Sequence, residues 1–277
     1  MRDNADVDDL ITSFTNPLVK RIRALTDRKH RRREGAFLVE GLQPVWRAVT
    51  ANWPLDTLVV APDLLTNERA QQMVAEQQDR GVRVVRVSAD VFARVSDRDG
   101  PAGLLAIVGG AVAELDAFRT AAPGPVVALH RAANPGNVGT ILRAADAAGA
   151  AGLILVGHSA DPLSPTAVKA SMGSVFAVPT AHTGDTEALF AWAGRHARPV
   201  VAVTGHARNT LWRTELPPEG VLLLGSEGDG LPDHVAERCE HQVSIPMVGT
   251  AESLNLATAA SVMLYEMMRR RNAGNDQ

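Results

Sequence analysis

Short apolar runs alternate along this chain with longer segments in which apolar residues recur about every three or four positions. The short runs predict buried strands, and the longer segments predict helices with an apolar face. In the first half we expect strands at residues 36–40, 58–60, 82–87 and 103–108, and helices at 16–33, 45–49 and 64–78. In the second half we expect strands at 125–130, 152–156, 199–203, 221–224 and one ending at 247, and helices from 137 onward and at 166–172, 187–196 and 253–271.

This alternation predicts an α/β fold whose C-terminal part is built on a mainly parallel, covered sheet. We expect a disordered acidic tail at residues 1–12, a small α/β domain at 13–109, an Ala- and Pro-rich linker at 110–124 and a second domain at 125–277. The length of 277 residues is sufficient for two domains with separate cores.

The last predicted helix is apolar on two sides. One stripe consists of Leu254, Ala257, Ser261, Leu264 and Met268, and the other of Leu256, Ala260, Met263 and Met267. A helix that is apolar nearly all round is expected to be buried. We therefore expect its own domain to cover one stripe and a second subunit to cover the other, which gives a homodimer through this helix.

Composition excludes several kinds of site. Cys239 is the single cysteine, which excludes a disulfide framework and a multi-cysteine metal site. The eight histidines lack metal-ligand spacing, so no metal is expected. The chain has no dinucleotide-binding loop, Walker loop or hydrolase elbow. No apolar run has the length of a signal peptide or a membrane span, which favours a cytoplasmic protein.

Positive charge is concentrated in one short segment, although the net charge is −3. The candidate nucleic-acid-binding cations are Lys20, Arg21, Arg28, Lys29, Arg31, Arg32 and Arg33. A local basic cluster in a slightly acidic chain indicates a face that contacts nucleic-acid phosphates. The alternative is a solvated helix surface, and charge alone does not separate the two.

Three segments of unusual composition occur in order in the second half. Residues 134–146 contain Asn-Pro-Gly-Asn-Val-Gly-Thr-Ile-Leu-Arg-Ala-Ala-Asp, which predicts a turn followed by a helix. Residues 224–231 contain Leu-Gly-Ser-Glu-Gly-Asp-Gly-Leu, a Gly-rich turn after a buried strand. The third segment has Ile-Pro-Met at 245–247 and Glu-Ser-Leu-Asn-Leu-Ala at 252–257. Each segment follows a predicted strand, and α/β folds place ligands at the carboxyl ends of their strands.

The ordered trio resembles the three signature motifs of the SpoU (TrmH-like) RNA 2′-O-ribose methyltransferases, in the SPOUT superfamily. The resemblance covers roughly residues 122–271 and extends more weakly to the N-terminal segment. It implies a SPOUT-type parallel-sheet domain with a deep trefoil knot, preceded by a small ribosomal-protein-like RNA-binding domain. The implied reaction is transfer of a methyl group from S-adenosylmethionine (SAM) to a ribose 2′-OH, in rRNA rather than tRNA. The alternatives are a tRNA 2′-O-methyltransferase and a catalytically silent RNA-binding or assembly factor on the same fold.

The resemblance also implies roles for individual residues. The implied catalytic residues are Asn137, Arg143, Glu227, Ser253 and Asn255. The implied cofactor contacts are Thr204, Gly205, Gly225, Ile245, Met247 and Leu254. Arg143 is either the base for the 2′-OH or a clamp for a backbone phosphate and the developing alkoxide. The clamp is preferred, because a guanidinium with a pKa above about 12 is a poor base at neutral pH. A surface ion pair with Asp146 is the structural alternative.

Overall fold

The computed structural model describes residues 10–97 and 100–275, so residues 1–9 of the expected tail lie outside the described residues. The described chain forms two compact units. The N-terminal unit comprises the residues up to Ala111 and the segment Leu163–Phe176. The C-terminal unit comprises Val112–Pro162 and the residues from Ala177 onward. Within the described ranges, every helix is too short or too polar to cross a membrane.

The N-terminal unit contains a mixed sheet with strand order β1-β4-β2-β3, in which β2 and β3 are parallel and the other pairs are antiparallel. Its elements, in chain order, are α1 (Pro17–Ala24), α2 (Arg28–Glu34), β1 (Ala36–Glu40), α3 (Leu42–Thr50), β2 (Leu55–Val60), α4 (Glu68–Asp79), β3 (Arg83–Arg86), α5 (Ala89–Val95) and β4 (Leu104–Gly109). The predicted strands all form. The helix α5 was not predicted.

Two helices, α1 and α2, replace the single helix expected at residues 16–33. Asn16 caps α1, since its side chain accepts a hydrogen bond from the backbone N–H of Leu18 at 2.8 Å. Asp27 caps α2 in the same way, accepting from Lys29 at 2.7 Å. Such caps satisfy N–H groups that a helix start leaves unpaired. The apolar positions Leu18 and Ile22 lie on α1 only, and Asp27 is the capping residue that marks the start of the second helix.

The C-terminal unit contains a sheet with strand order β11-β9-β10-β6-β7-β8-β5. Its elements are β5 (Ala113–Glu114), β6 (Val126–His130), α6 (Pro135–Ala147), β7 (Gly152–Val156), β8 (Thr180–Thr183), α8 (Thr186–Arg195), β9 (Val200–Val203), β10 (Val221–Leu224), α9 (Asp233–Ala236), β11 (His241–Val243) and α10 (Leu256–Asn275), with α7 (Pro165–Ser171) between β7 and β8 in sequence. All neighbouring strands are parallel, which confirms the predicted parallel sheet.

The segment Leu163–Phe176 was expected in the second domain, but it packs within the N-terminal unit. Its helix α7 contacts β1. Phe176 stacks on Phe37 with ring centroids 6.1 Å apart, and its carbonyl accepts a hydrogen bond from Trp53 Nε1 at 3.3 Å. This packing joins residues that are far apart in the chain. The predicted domain boundaries at 109 and 125 therefore did not assign the segment to the N-terminal unit.

The expected linker at 110–124 also contributes structure. It supplies the edge strand β5, which pairs with β8. Leu115 and Phe118 are buried in the core of the C-terminal unit, where the Phe118 ring lies 5.4 Å from that of Trp192. A few large apolar residues in an Ala-rich stretch give too weak a periodicity to predict this role.

The sheet changes direction between β6 and β10. From β6 the chain continues to β7 on one side, and from β10 it continues to β11 on the other. Loops that leave such adjacent strands diverge and open a crevice at their carboxyl ends, where α/β folds bind ligands. Residues 131–137 follow β6 and residues 225–231 follow β10, so the first two motifs meet at this crevice.

The last strand and helix differ from the expectation in detail. The strand expected to end at 247 ends at Val243, and residues 245–247 are loop. The helix α10 begins at Leu256 rather than at 253, because Asn255 supplies its cap by accepting from the backbone N–H of Ala257 at 2.9 Å.

The second predicted stripe of α10 is buried within the chain, where Met263 is fully buried and α10 packs along α6. The first stripe is covered only in part, since Leu254 and Met268 are half-buried. The large apolar side chains exposed on α10 are Val262, at 37%, and Tyr265, at 49%, which lie on a third face. The dimer through this helix stays a prediction.

Candidate active site

Three polar side chains from distant parts of the chain contact one another at the carboxyl edge of the parallel sheet. The amide of Asn137 on α6 donates to Glu227 Oε1 at 2.9 Å. The amide of Asn255, the cap of α10, donates to Asn137 Oδ1 at 3.1 Å. Each predicted motif thus contributes one member to a connected chain of hydrogen bonds, which we call the polar cluster.

Glu227 also holds the loop that follows β6. Its two carboxylate oxygens accept hydrogen bonds from the backbone N–H groups of Ala133, at 3.1 Å, and Asn134, at 3.2 Å. Burial opposes ionisation of this carboxyl, but the hydrogen bonds from Asn137 and from backbone groups outweigh it and lower the pKa of Glu227. The group is therefore a carboxylate at neutral pH, with its oxygens already engaged.

Asn134, rather than Asn137, caps α6. Its side-chain oxygen accepts from the backbone N–H of Gly136 at 2.8 Å and of Asn137 at 3.3 Å, and Pro135 occupies the first helical position. Proline is favoured there because its missing N–H would have no partner. Since Asn134 serves the helix start, the Asn137 side chain is free to bridge Glu227 and Asn255.

The glycine-rich turn after β10 is tightly closed. Ser226 and Gly230 pair across it with backbone hydrogen bonds of 3.0 and 3.2 Å. A Cβ on Gly225 would lie 2.0 Å from the carbonyl carbon of Gly230, so only glycine fits. The absent side chain of Gly225 thus makes room for the turn itself, which carries Glu227 to the polar cluster.

A pocket of about 530 Å³ opens beside the polar cluster, between the loops that follow β9, β10 and β11. All six predicted cofactor residues line it: Thr204, Gly205, Gly225, Ile245, Met247 and Leu254. Two predicted catalytic residues, Glu227 and Ser253, line it as well. Residues that were not predicted also line it, among them His206, Ser226 and Glu252. Ser226 lies inside the second motif and Glu252 inside the third, so their places in the motifs could have predicted that they line the pocket.

Arg143 lies apart from this pocket. It is in the third turn of α6, about 9 Å along the helix axis from Asn137, at about 1.5 Å per residue. The side chain is exposed and makes no hydrogen bond or ion pair with the residues that the structure describes, so it is not paired with Asp146. The structure therefore does not bring Arg143 to the pocket of its own chain.

Comparison with known proteins decides the family. Residues 124–265 match the model of the SpoU rRNA Methylase family, and residues 16–106 match that of the MRM3-like substrate binding domain. A 23S rRNA (uridine(2479)-2′-O)-methyltransferase from Streptomyces viridochromogenes is 34% identical over 258 residues, which are 90% of this chain and 88% of that protein. The chain belongs to the SpoU rRNA methylase family. The resemblance seen in the three motifs is thereby confirmed.

Solved SpoU-type structures agree with this fold over nearly the whole chain. An AdoMet-bound rRNA methyltransferase from Sinorhizobium meliloti has a TM-score of 0.83 and 40% identity, covering 95% of this chain and 98% of that one. The SpoU methyltransferase AviRb from Streptomyces viridochromogenes, in complex with AdoMet (SAM), has a TM-score of 0.81 and 32% identity, covering 93% and 98%. Both of these structures contain AdoMet, the cofactor that the motifs imply.

The SpoU domain match contains every predicted catalytic and cofactor residue, and the substrate-binding match contains the basic segment. In that segment Lys20, Lys29, Arg32 and Arg33 are exposed. Arg33 lies 2.8 Å from His30 Nδ1. These four side chains form the exposed part of the basic face and keep their RNA-binding role as a prediction.

The other cations of the segment serve the fold. Arg31 is 5% exposed, and its Nη1 donates to the carbonyls of Leu25, at 3.0 Å, and Thr26, at 2.8 Å. Arg21 bridges Glu34, at 3.0 Å, and Asp56, at 2.6 Å. Arg28 is half-buried. We therefore withdraw Arg31 from the RNA-binding set, because a buried guanidinium that joins two helices does not reach a phosphate.

Groups that could hold a metal ion are absent among the residues that the structure describes. The single cysteine is buried, and burial raises the pKa of Cys239 to about 12. It is therefore a protonated core residue at neutral pH.

Proposed function

We propose that this SpoU protein transfers the methyl group of SAM to a ribose 2′-OH in structured RNA, with rRNA as the substrate class. The observation that carries the proposal is the bridge from Asn137 to both Glu227 and Asn255 at the rim of the pocket. The relative from Streptomyces viridochromogenes, named as a 23S rRNA uridine 2′-O-methyltransferase, supports the substrate class.

The pocket suits SAM in size and in chemistry. Its volume of about 530 Å³ falls within the range of about 300–1,000 Å³ common for small-molecule sites. Ile245, Met247 and Leu254 would supply apolar surface to hold SAM, and Thr204 and the backbone of Gly205 would supply polar groups. When bound, SAM supplies a methyl group on a sulfonium sulfur.

In the proposed reaction a bond would form between the ribose 2′-oxygen and the methyl carbon as the carbon–sulfur bond breaks; the sulfur would leave as the neutral thioether S-adenosylhomocysteine, and the hydroxyl proton would pass to solvent water. The protein must mainly align the three reacting atoms. Glu227 is poorly suited to take the proton, since a general base works best with a pKa near the working pH and this pKa is lowered. We assign Glu227 to holding Asn137 and the loop after β6, with Ser253 and Asn255 placed to orient the ribose.

Arg143 remains in the proposed catalytic set as a clamp for phosphate and developing charge. Because it lies outside the pocket of its own chain, we propose that it reaches the RNA at the pocket of a second copy. We further propose that this copy docks on the third face of α10, marked by Val262 and Tyr265. Light scattering should give a dimer mass, and Tyr265→Glu should lower it to that of a monomer.

Two further parts of the proposal concern topology and location. We propose that the C-terminal unit carries a deep trefoil knot, as expected for SPOUT proteins. The loops after β9, β10 and β11 line one pocket, an arrangement that a knot of these loops would produce. We also propose a cytoplasmic location, where rRNA is available.

Labelled SAM with unmethylated 23S rRNA or tRNA transcripts tests the function. We expect transfer to 23S rRNA, at a nucleotide whose 3′ linkage becomes resistant to alkaline hydrolysis, as 2′-O-methylation requires. Transfer should persist in EDTA. Calorimetry on the same protein should detect SAM binding. SAM binding without transfer to either RNA would favour a catalytically silent factor, and absence of SAM binding would contradict the cofactor assignment.

A further inference from the structure

Arg131, the first residue after β6, has an unusual backbone conformation. Its φ is 55°, in the left-handed region that side chains other than glycine rarely adopt. Two hydrogen bonds hold it there: Arg131 N–H donates to the Val156 carbonyl at 2.9 Å, and Ala160 N–H donates to the Ala132 carbonyl at 2.7 Å. The fold thus retains an arginine where glycine would cost less, and strain of this kind is concentrated at functional sites.

The Arg131 side chain is directed outward by its surroundings. A Cβ placed on Gly157 would lie 3.3 Å from Arg131 Cγ, so the stem of the arginine passes over Gly157, where no side chain obstructs it. The residue is exposed, and its guanidinium makes no hydrogen bond or ion pair with the described residues. All of its donors are therefore available to a ligand, and its charge does not stabilise a neighbour.

The position of Arg131 connects it to the polar cluster. The same short loop continues to Ala133 and Asn134, whose N–H groups bind Glu227 at 3.1 and 3.2 Å. Burial lowers the pKa of the neighbouring His130, with the charges of Arg131 and His234 adding to that effect. At neutral pH the His130 ring is therefore uncharged, whereas the adjacent Arg131 guanidinium keeps its positive charge.

We propose that Arg131 binds a backbone phosphate of the RNA next to the nucleotide to be methylated, and so fixes the ribose at the polar cluster. The planar guanidinium binds two phosphate oxygens at once, and such contacts set the register of a nucleic acid on a protein. This inference rests on the proposed RNA methyl transfer and adds a substrate contact in the catalytic unit, separate from the basic face of the N-terminal unit.

Arg131→Gly separates this role from a structural one, because glycine relieves the backbone strain while removing the charge. Ala197→Gly is the matched control, since Ala197 is exposed with a φ of 51° and carries no charge. Both variants should melt at or above the wild-type temperature. Only Arg131→Gly should weaken binding to a 23S rRNA transcript, by about tenfold, and reduce the log–log salt slope by about one unit. SAM affinity should not change.

Arg131→Lys should restore the salt slope but not the full rate of methyl transfer, because lysine keeps the charge and loses the planar fork. Wild-type RNA affinity and salt slope in Arg131→Gly would overturn the inference, as would a melting temperature well below that of the wild type, which would assign the guanidinium to the fold. Wild-type protein that binds no rRNA would contradict the proposed function itself.

Discussion

The carboxyl edge of the C-terminal sheet and the basic segment of the N-terminal unit both concentrate polar side chains, but they organise them differently. At the sheet edge, Asn137, Glu227 and Asn255 satisfy one another in a single network. In the basic segment, Arg31 is buried against carbonyls while its neighbour Arg32 is exposed. Parallel strands all end at one edge, so their loops converge. A helix turns by about 100° per residue, so consecutive cations diverge.

The largest loss of methyl-transfer rate is expected for changes at Arg143, because the clamp role and the surface role predict different results there. Arg143→Ala should lower single-turnover methyl transfer by about 100- to 1,000-fold, the usual range for losing one preorganised charge stabiliser. Fold, dimer mass and SAM affinity should be unchanged. Arg143→Lys should restore little of the methyl-transfer rate if the planar guanidinium must make two contacts at once. A base role predicts instead a restored rate that grows from pH 7 to 10. Wild-type rates for Arg143→Ala would remove it from the catalytic set.

Mixed dimers extend the same test. If Arg143 acts at the pocket of the partner, Arg143→Ala mixed with a variant blocked in the cofactor pocket should regain part of the activity, because one of the two sites is intact. Gly225→Val suits this purpose, since its side chain would collide with Gly230 and distort the turn that lines the pocket. No recovery in dimers verified by mass would contradict action in trans.

Glu227→Gln should lower methyl transfer by about 100-fold, because small misplacements of reacting groups cost rates of that order. Since the pKa of Glu227 is lowered, its contribution to stability is fully present above its unfolded pKa and is lost only as pH falls through the folded value. Wild-type activity should therefore show no loss from this group between pH 7 and 5. Glu237→Gln, at an exposed position after α9, is the control.

Arg31→Met should destabilise the protein by about 1.5–3 kcal/mol, because it removes two hydrogen bonds from a charged donor and leaves the carbonyls of Leu25 and Thr26 unpaired. Arg32→Met, at the exposed neighbour, should change the free energy of unfolding by less than about 0.5 kcal/mol. Chemical denaturation of both variants measures the difference. Equal effects would mean that burial does not distinguish the two arginines.

Neutralising the exposed cations should produce the smallest effect. Lys29→Gln and Arg32→Gln should each reduce the log–log salt slope of RNA binding by about one unit if each contacts a phosphate. Methyl transfer at saturating RNA should fall less than affinity. Arg80→Gln, an exposed cation after α4, is the control. An unchanged salt slope would mean that the basic face is a solvated helix surface that does not bind RNA.

The parts of the fold and site that were predictable share a physical basis. Buried strands such as Gly152–Val156 and Val221–Leu224 were predicted at their observed bounds, because continuous apolar runs have few other solutions. The convergence of the motifs followed from the parallel sheet. The packing of Phe176 on Phe37 and the burial of Arg31 depend on contacts that no local pattern contains.

The central claim is that Asn137 and Glu227 act as one unit in methyl transfer, and a double-mutant cycle tests it most directly. Asn137→Ala, Glu227→Gln and the double variant would be compared by single-turnover transfer to 23S rRNA, with SAM affinity measured alongside. Residues in one network are strongly non-additive. We predict that the double variant is no more than about threefold slower than the slower single variant. The account would be contradicted if the rate loss of the double variant equalled the product of the two single losses, because the two side chains would then act independently.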